Sequence, residues 1–164
     1  MLKKLGFLPI FALLASAPAL ANTETVTFTG TSTAFCTVTK SSDGTLAQSL
    51  DSTSLSTTNT GGSPATFTAA SNASASLDLD DALTVTTEPS PAGFTAVRTQ
   101  SISVIDDATS ATLYSGDGAA GATASIDGTV TGSVNLSITD SDGGLIPAGS
   151  YGYTKTITCS TAAP

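Results

Sequence analysis

Apolar and polar residues alternate with a period of two along most of this chain, and that pattern restricts the fold more than any other feature. Successive side chains of a β-strand point to opposite faces, so the alternation predicts strands with one buried and one solvated face. Thr fills many of the polar positions, and its branched side chain suits a strand. The alternating segments are residues 25–29, 35–39, 65–69, 75–79, 83–87, 94–97, 101–105, 111–114, 129–139 and 151–159.

Turn-forming residues separate the alternating segments at a spacing of roughly ten residues, which is typical of β-sandwiches and barrels. Helical periodicity is weak: residues 45–55 are compatible with one short helical turn, and residues 77–83 fit either such a turn or a strand end. Residues 116–124 are small and read as a loop. The chain is therefore predicted to be all-β, with residues 22–164 forming a single domain. The turn-rich breaks are residues 42–44, 60–64, 88–91, 116–121 and 142–144.

The first residues have the features of a secretory signal peptide. Lys3 and Lys4 are followed by an apolar run over residues 5–14, and Ala19-Leu20-Ala21 provides a small-x-small cleavage pattern. The run is too short to span a bilayer, which needs about 20 apolar residues. We therefore expect residues 1–21 to be a bacterial signal peptide and the chain to be secreted, without membrane insertion after cleavage.

The acidic composition excludes two classes of partner. Lys3 and Lys4 leave with the signal peptide, so the formal charge of −8 becomes −10, with 13 acidic residues remaining. A field of this sign repels nucleic acid and anionic lipid. An acidic surface also keeps an exported protein dispersed in solution, which is the simplest reason for this composition.

Cys36 and Cys159 are the two cysteines, and in an exported chain a pair is most simply one disulfide. Closing so long a loop contributes about 4–5 kcal/mol by the chain-entropy model. A redox-active pair is disfavoured because the two residues lack the close spacing that lowers a thiol pKa. A zinc site is disfavoured as well, since the chain has no His and two thiolates do not complete the metal's ligand shell.

No catalytic constellation or cofactor motif is found. Without His the familiar nucleophilic triads cannot form, and the chain is predicted not to be an enzyme. Paired carboxylates occur at residues 78–81 and at residues 106–107, where solvated charges at strand ends are a better explanation than acid–base catalysis. Residues 140–144, Asp-Ser-Asp-Gly-Gly, are similar to the opening of a calcium loop, although an Asp-Gly turn explains them without a metal. Tyr151 and Tyr153 share one strand face, as core residues or as a small carbohydrate-contacting patch.

Two short segments carry a resemblance to known exported proteins. Val26-x-Phe28-x-Gly30 followed by Cys36-x-Val38 resembles the start of type 1-like fimbrial subunits of the chaperone–usher pathway. Residues 145–151, Leu-Ile-Pro-Ala-Gly-Ser-Tyr, resemble the turn into the last strand of spore-coat-U-like proteins. The resemblance implies an immunoglobulin-like (pilin-like) antiparallel β-sandwich. In it Val26 and Phe28 enter the core and Gly30 permits a bend.

Three departures from the fimbrial pattern lead us to predict a self-complete domain rather than a subunit joined to its neighbours by donated strands. The second cysteine lies at residue 159 instead of on a neighbouring strand. Only residues 22–24 precede the first predicted strand, which is too short an extension to donate. The last strand lacks the aromatic residues that chaperones recognise.

The expected function is that of a non-enzymatic, fimbrial-like structural or cell-adhesion protein of the bacterial envelope. It would be located in the periplasm or on the extracellular surface, a fimbrium included. Its partners would be copies of itself or other pilus subunits. The alternative is a monomeric secreted module that binds carbohydrate or calcium.

Overall fold

The computed structural model describes residues 27–161; residues 1–26, with the predicted signal peptide and Val26, and residues 162–164 lie outside the described part. The chain divides into two units, Met1–Ser32 and Thr33–Pro164. Of the first unit, residues 27–32 are described, and they contain no strand. The second unit carries every strand described below.

Twelve strands and no helix are present over residues 27–161, which confirms the all-β prediction. It follows that the described residues include no helix long and apolar enough to cross a membrane. The strands are β1 (Cys36–Ser42), β2 (Ala47–Gln48), β3 (Ser54–Ser56), β4 (Ala65–Ser71), β5 (Ala75–Asp78), β6 (Thr84–Thr87), β7 (Ala96–Asp106), β8 (Thr112–Gly116), β9 (Thr123–Ile126), β10 (Thr129–Asp140), β11 (Gly152–Thr154) and β12 (Thr158–Thr161).

A seven-stranded antiparallel sheet is built around β10, the longest strand. On one side β10 pairs along its length with β7, which in turn pairs with β8. On the other side two shorter strands share its edge: β4 pairs with the first half of β10 and β3 with the second half. β1 lies outside β4, and β2 lies outside β3.

Two smaller antiparallel sheets form the opposing layer. One has the order β12-β5-β9 and the other consists of β11 and β6. The chain runs from β5 into β6 and from β11 into β12, so these two pairings are successive parts of one irregular two-stranded ribbon. The ribbon is interrupted at residues 79–83 and 155–157, which belong to no strand.

The core lies between the two layers in two clusters, as a sandwich requires. Alternate residues of β10 supply both of them: Val130 and Val134 belong to the larger cluster, Leu136 and Ile138 to the smaller. Leu77 of β5 meets the larger cluster from the opposing layer. The alternation over residues 129–139 therefore marks a strand with one face buried along its whole length, as predicted.

Apart from residues 25–29, the structure departs from the predicted elements at four places. Residues 45–55 form β2 and β3 instead of a helical turn, and the predicted strands at 94–97 and 101–105 are one strand, β7. β9 begins within the predicted loop at 116–124, because Ala124 and Ile126 alternate into the core. The predicted strand at 151–159 is divided into β11 and β12.

The prediction of a strand over residues 25–29 is wrong for the residues that are described. Thr27, Phe28 and Thr29 are in no strand, and the Phe28 side chain is 91% exposed. Residues 25 and 26 lie outside the described part. An alternating pattern alone cannot form a strand, because a strand also needs a partner edge for its backbone groups.

Candidate strand-binding groove

The disulfide predicted between Cys36 and Cys159 is present, with 5.7 Å between the two Cα atoms. Cys36 is the first residue of β1, at an edge of the large sheet, and Cys159 lies on β12, at an edge of the opposing layer. The bond therefore joins the two layers along one open side of the sandwich.

An apolar groove runs along that same side, starting two residues from each cysteine. It has a volume of about 600 Å³, and its walls include Val38 on one layer and Ile157 on the other. Its floor contains Phe67, Val134 and Leu136, which belong to the core. The remaining lining residues are Lys40, Ser42, Asp43, Gly44, Leu46, Thr57, Ala65, Thr66, Leu83, Tyr153, Thr154 and Lys155.

The strands that border the groove have unpaired edges over the described residues. β1 and β11 line the groove, and they pair with β4 alone and with β6 alone; β12, which follows Ile157 of the groove wall, pairs with β5 alone. An unpaired edge presents a row of backbone N–H and C=O groups that another strand can bind. An apolar floor between two such edges is suited to an extended segment with alternating apolar side chains, which would add a strand to the sheet.

The segment that precedes β1 is longer than the sequence pattern suggested. Because the first described strand begins at Cys36, residues 22–35 lie between the predicted cleavage point and the fold. We call these residues the leader. The prediction of a self-complete domain depended in part on an extension of only residues 22–24, and that reason no longer holds.

Three of the acidic residues considered as catalytic or calcium-binding groups instead accept hydrogen bonds from backbone N–H groups of turns and loops. Asp106 accepts hydrogen bonds from the backbone N–H groups of Ala108 and Thr109, and the bond from Thr109 is the main cause that lowers its pKa. Asp80 accepts from the Gly121 N–H, which likewise lowers its pKa. Asp140 accepts from the N–H groups of Thr95 and Gly144.

Nowhere in residues 27–161 do three or more His, Cys, Asp or Glu side chains gather as a metal site would require. The Asp-Gly turn at residues 140–144 is accounted for by its own hydrogen bonds.

The two C-terminal tyrosines pack against the smaller core cluster. Tyr151 donates a hydrogen bond to the Pro147 carbonyl at 2.8 Å, and Tyr153 donates to the Glu88 carboxylate. Burial, followed by the Glu88 interaction, raises the pKa of Tyr153. Both rings are thus used within the fold, and they do not form the flat exposed platform that a carbohydrate patch would need.

Glu88 is the centre of a polar cluster that the sequence pattern did not indicate. The Arg98 guanidinium of β7 donates to it, with 2.9 Å from Arg98 Nε to Glu88 Oε2. Only 13% of the Glu88 side chain is exposed. The Arg98 hydrogen bonds are the largest cause that lowers the pKa of Glu88, with Tyr153 assisting. The cluster ties the large sheet to the β6–β11 pair.

This cluster gives a pH-dependent prediction. A carboxyl whose pKa is lower in the folded chain stabilises the fold above its unfolded pKa, around 4.5, and loses that contribution as the pH falls through its folded pKa. We therefore expect wild type to unfold at higher urea than Glu88→Gln at pH 7, with the difference shrinking steadily below pH 4.5. Urea titrations of both chains from pH 7 to 3 measure this; a difference independent of pH would contradict the assignment.

The fold and the groove together define a class of protein: a disulfide-linked, two-layer β-domain whose core is open along one side. Comparison with known proteins adds no relative, since no family model, no curated protein and no solved structure matches the chain. The function is therefore inferred from the groove, the sheet edges and the leader.

Proposed function

We propose that this chain is an exported, non-enzymatic structural subunit of the cell surface whose copies join by strand addition. The leader of one copy binds in the groove of the next. The observation that carries the proposal is the apolar groove between the unpaired edges of β1 and β11–β12, in a chain whose alternating leader precedes its first strand. The disulfide supports export, because such bonds persist in oxidising compartments.

The leader has the side-chain pattern that such a groove would select. In an extended backbone Val26, Phe28 and Gly30 share one face, and Thr occupies the alternate positions. The apolar face would cover the core residues of the groove floor, and the Thr face would remain in water. Among the described leader residues, Phe28, with 91% of its side chain exposed, has the most apolar surface to bury.

The lengths also agree. Residues 38–42 of β1 border the groove, and five residues of strand extend about 17 Å. Residues 26–30 of the leader have the same length, so the donated strand would pair along the whole of that edge. Donor and groove are different surfaces, and a contact of this head-to-tail kind continues from copy to copy into a filament when it does not close.

The alternative, a monomeric module for carbohydrate or calcium, has no supporting observation in the described residues. Its candidate tyrosines pack in the smaller core cluster, and its candidate carboxylates cap turns. The floor of the groove is apolar, which suits a strand better than either ligand.

The proposal is tested by replacing the donor side chain. Phe28→Asp is expected to reduce assembly at least about a hundredfold, because a buried Phe contributes about 2–3 kcal/mol and a buried unpaired carboxylate adds a further cost. The full chain is exported from a bacterial host, and its oligomers are resolved by size-exclusion chromatography and by electrophoresis without heating. Wild type should form a ladder and Phe28→Asp a monomer.

Leu50→Asp is the matched control, since Leu50 is equally apolar and fully exposed but lies between β2 and β3 and does not line the groove. It should assemble as wild type does. A wild-type chain that stays monomeric at high concentration, or a Phe28→Asp ladder equal to that of wild type, would overturn the proposed function.

A further inference from the structure

The residues just before β1 are hydrogen-bonded to the side chain of Asn72, the residue that follows β4. Cys36 and Ser71 are the last backbone pair between β1 and β4. Beyond them the Phe35 N–H donates to Asn72 Oδ1 at 2.8 Å, and Asn72 Nδ2 donates to the Thr33 carbonyl at 3.0 Å. The Ser71 hydroxyl, which is buried, also reaches the Phe35 carbonyl at 2.8 Å. The Asn72 amide thus substitutes for a strand residue and lengthens the ladder.

This arrangement fixes the direction in which the chain enters β1. Thr33 and Phe35 lie beyond the Cys36 end of the strand, whereas the groove begins at Val38 on the other side of Cys36. For a leader to bind in its own groove, the chain would have to turn back within residues 31–35. That reversal removes the Phe35 N–H and the Thr33 carbonyl from Asn72.

The length of the connection permits such a reversal once the Asn72 and Ser71 contacts to residues 33–35 are broken. Five residues are enough for a hairpin loop, and Gly30 stands at its start. A leader tethered to its own groove would also act at an effective concentration in the millimolar range, well above that of other copies in solution. A chain that is to polymerise therefore needs a specific contact that disfavours its own leader.

We infer that the Asn72 amide, by holding Thr33 and Phe35 in line with β1, directs the leader to a second copy and prevents it from closing its own groove. This inference rests on the proposed strand addition, and it names the residue that determines which groove the leader binds. Asn72 is a positioning residue: it acts on the start of the leader and does not line the groove.

The test compares Asn72→Ala with wild type at equal concentration. Asn72→Ala is expected to shift the population towards monomer by about tenfold. Because its leader would bind in its own groove, this monomer should melt at a temperature at least as high as that of the assembled chain. Its leader should also be protected from proteolysis. Asn72→Asp retains an acceptor for the Phe35 N–H but no donor to Thr33, so it should fall between the two. Ultracentrifugation, thermal melting and limited proteolysis provide the readouts.

The double variant Asn72→Ala with Phe28→Asp distinguishes a monomer whose groove is filled by its own leader from a monomer whose groove is empty. It should be monomeric with an exposed leader and a lower melting temperature than Asn72→Ala. The inference is overturned if Asn72→Ala assembles like wild type, or if its monomer melts and digests like the double variant. In both cases a wild-type ladder leaves the proposed function intact, whereas absence of the wild-type ladder removes the proposed function and this inference together.

Discussion

Replacing both Cys36 and Cys159 by serine is expected to lower the free energy of unfolding by about 5 kcal/mol. The bond closes a loop with a sequence separation of 123 residues, and the chain-entropy model assigns a value of this size to such a loop. A protein of this size is stabilised by only about 5–15 kcal/mol in total, so the loss removes a large part of it. Urea denaturation of the double variant and of wild type at pH 7 measures the difference.

Substituting both cysteines avoids a remaining thiol that could cross-link copies. Wild type treated with a reductant is the control, and it should unfold at the same urea concentration as the double variant. A double variant whose free energy of unfolding lies within about 1 kcal/mol of that of wild type would contradict the chain-entropy model, because it would mean that the bond does not restrict the unfolded chain.

Gly132→Ala is expected to cost about 2–3 kcal/mol, because this part of the core has no space for one more carbon. Gly132 of β10 pairs with Phe67 of β4, and the Phe67 ring covers it. A Cβ added at Gly132 would stand 2.0 Å from Phe67 Cζ. Phe67 is 5% exposed and cannot move into solvent without opening the core and the groove floor. Overpacking of a well-filled core typically costs this much.

A double-mutant cycle tests the cause. Phe67→Leu removes the outer ring atoms, so Gly132→Ala should cost less than about 1 kcal/mol in that background. Urea denaturation of the four chains gives the coupling. Equal costs of Gly132→Ala in both backgrounds would show that the ring is not what excludes a side chain at residue 132.

The features that were predicted correctly from sequence are those set by local pattern. Alternation over residues 129–139 identified β10 because every second side chain there is buried in one continuous core. The pairing of Cys36 with Cys159 followed from there being two cysteines in a chain predicted to be exported, and the structure confirms it. Pattern at this level specifies which face of a strand is buried.

What could not be predicted depends on partners distant in sequence. Residues 26–30 alternate as well as any strand of the fold, yet residues 27–30 have no strand partner in the described chain. β2 and β3 are too short for a periodic signal, and β3 exists because it pairs with the second half of β10, more than 80 residues away. The groove itself is an effect of sheet order, since it lies where two edges remain unpaired. No composition or spacing encodes that arrangement.

The central claim, that the leader of one copy fills the groove of another, is tested most directly by complementation between two defective chains. Phe28→Asp has an intact groove and a defective leader. Val38→Arg places a bulky cation in the wall of the groove and leaves the leader intact. Circular dichroism first establishes that both variants are folded.

Analytical ultracentrifugation then gives the mass of each variant alone and of the equimolar mixture. Strand addition predicts two monomers that combine, when mixed, into a dimer of one copy of each and nothing larger, because the mixture contains a single competent pair of donor and groove. A mixture that remains monomeric, although wild type assembles under the same conditions, would contradict it.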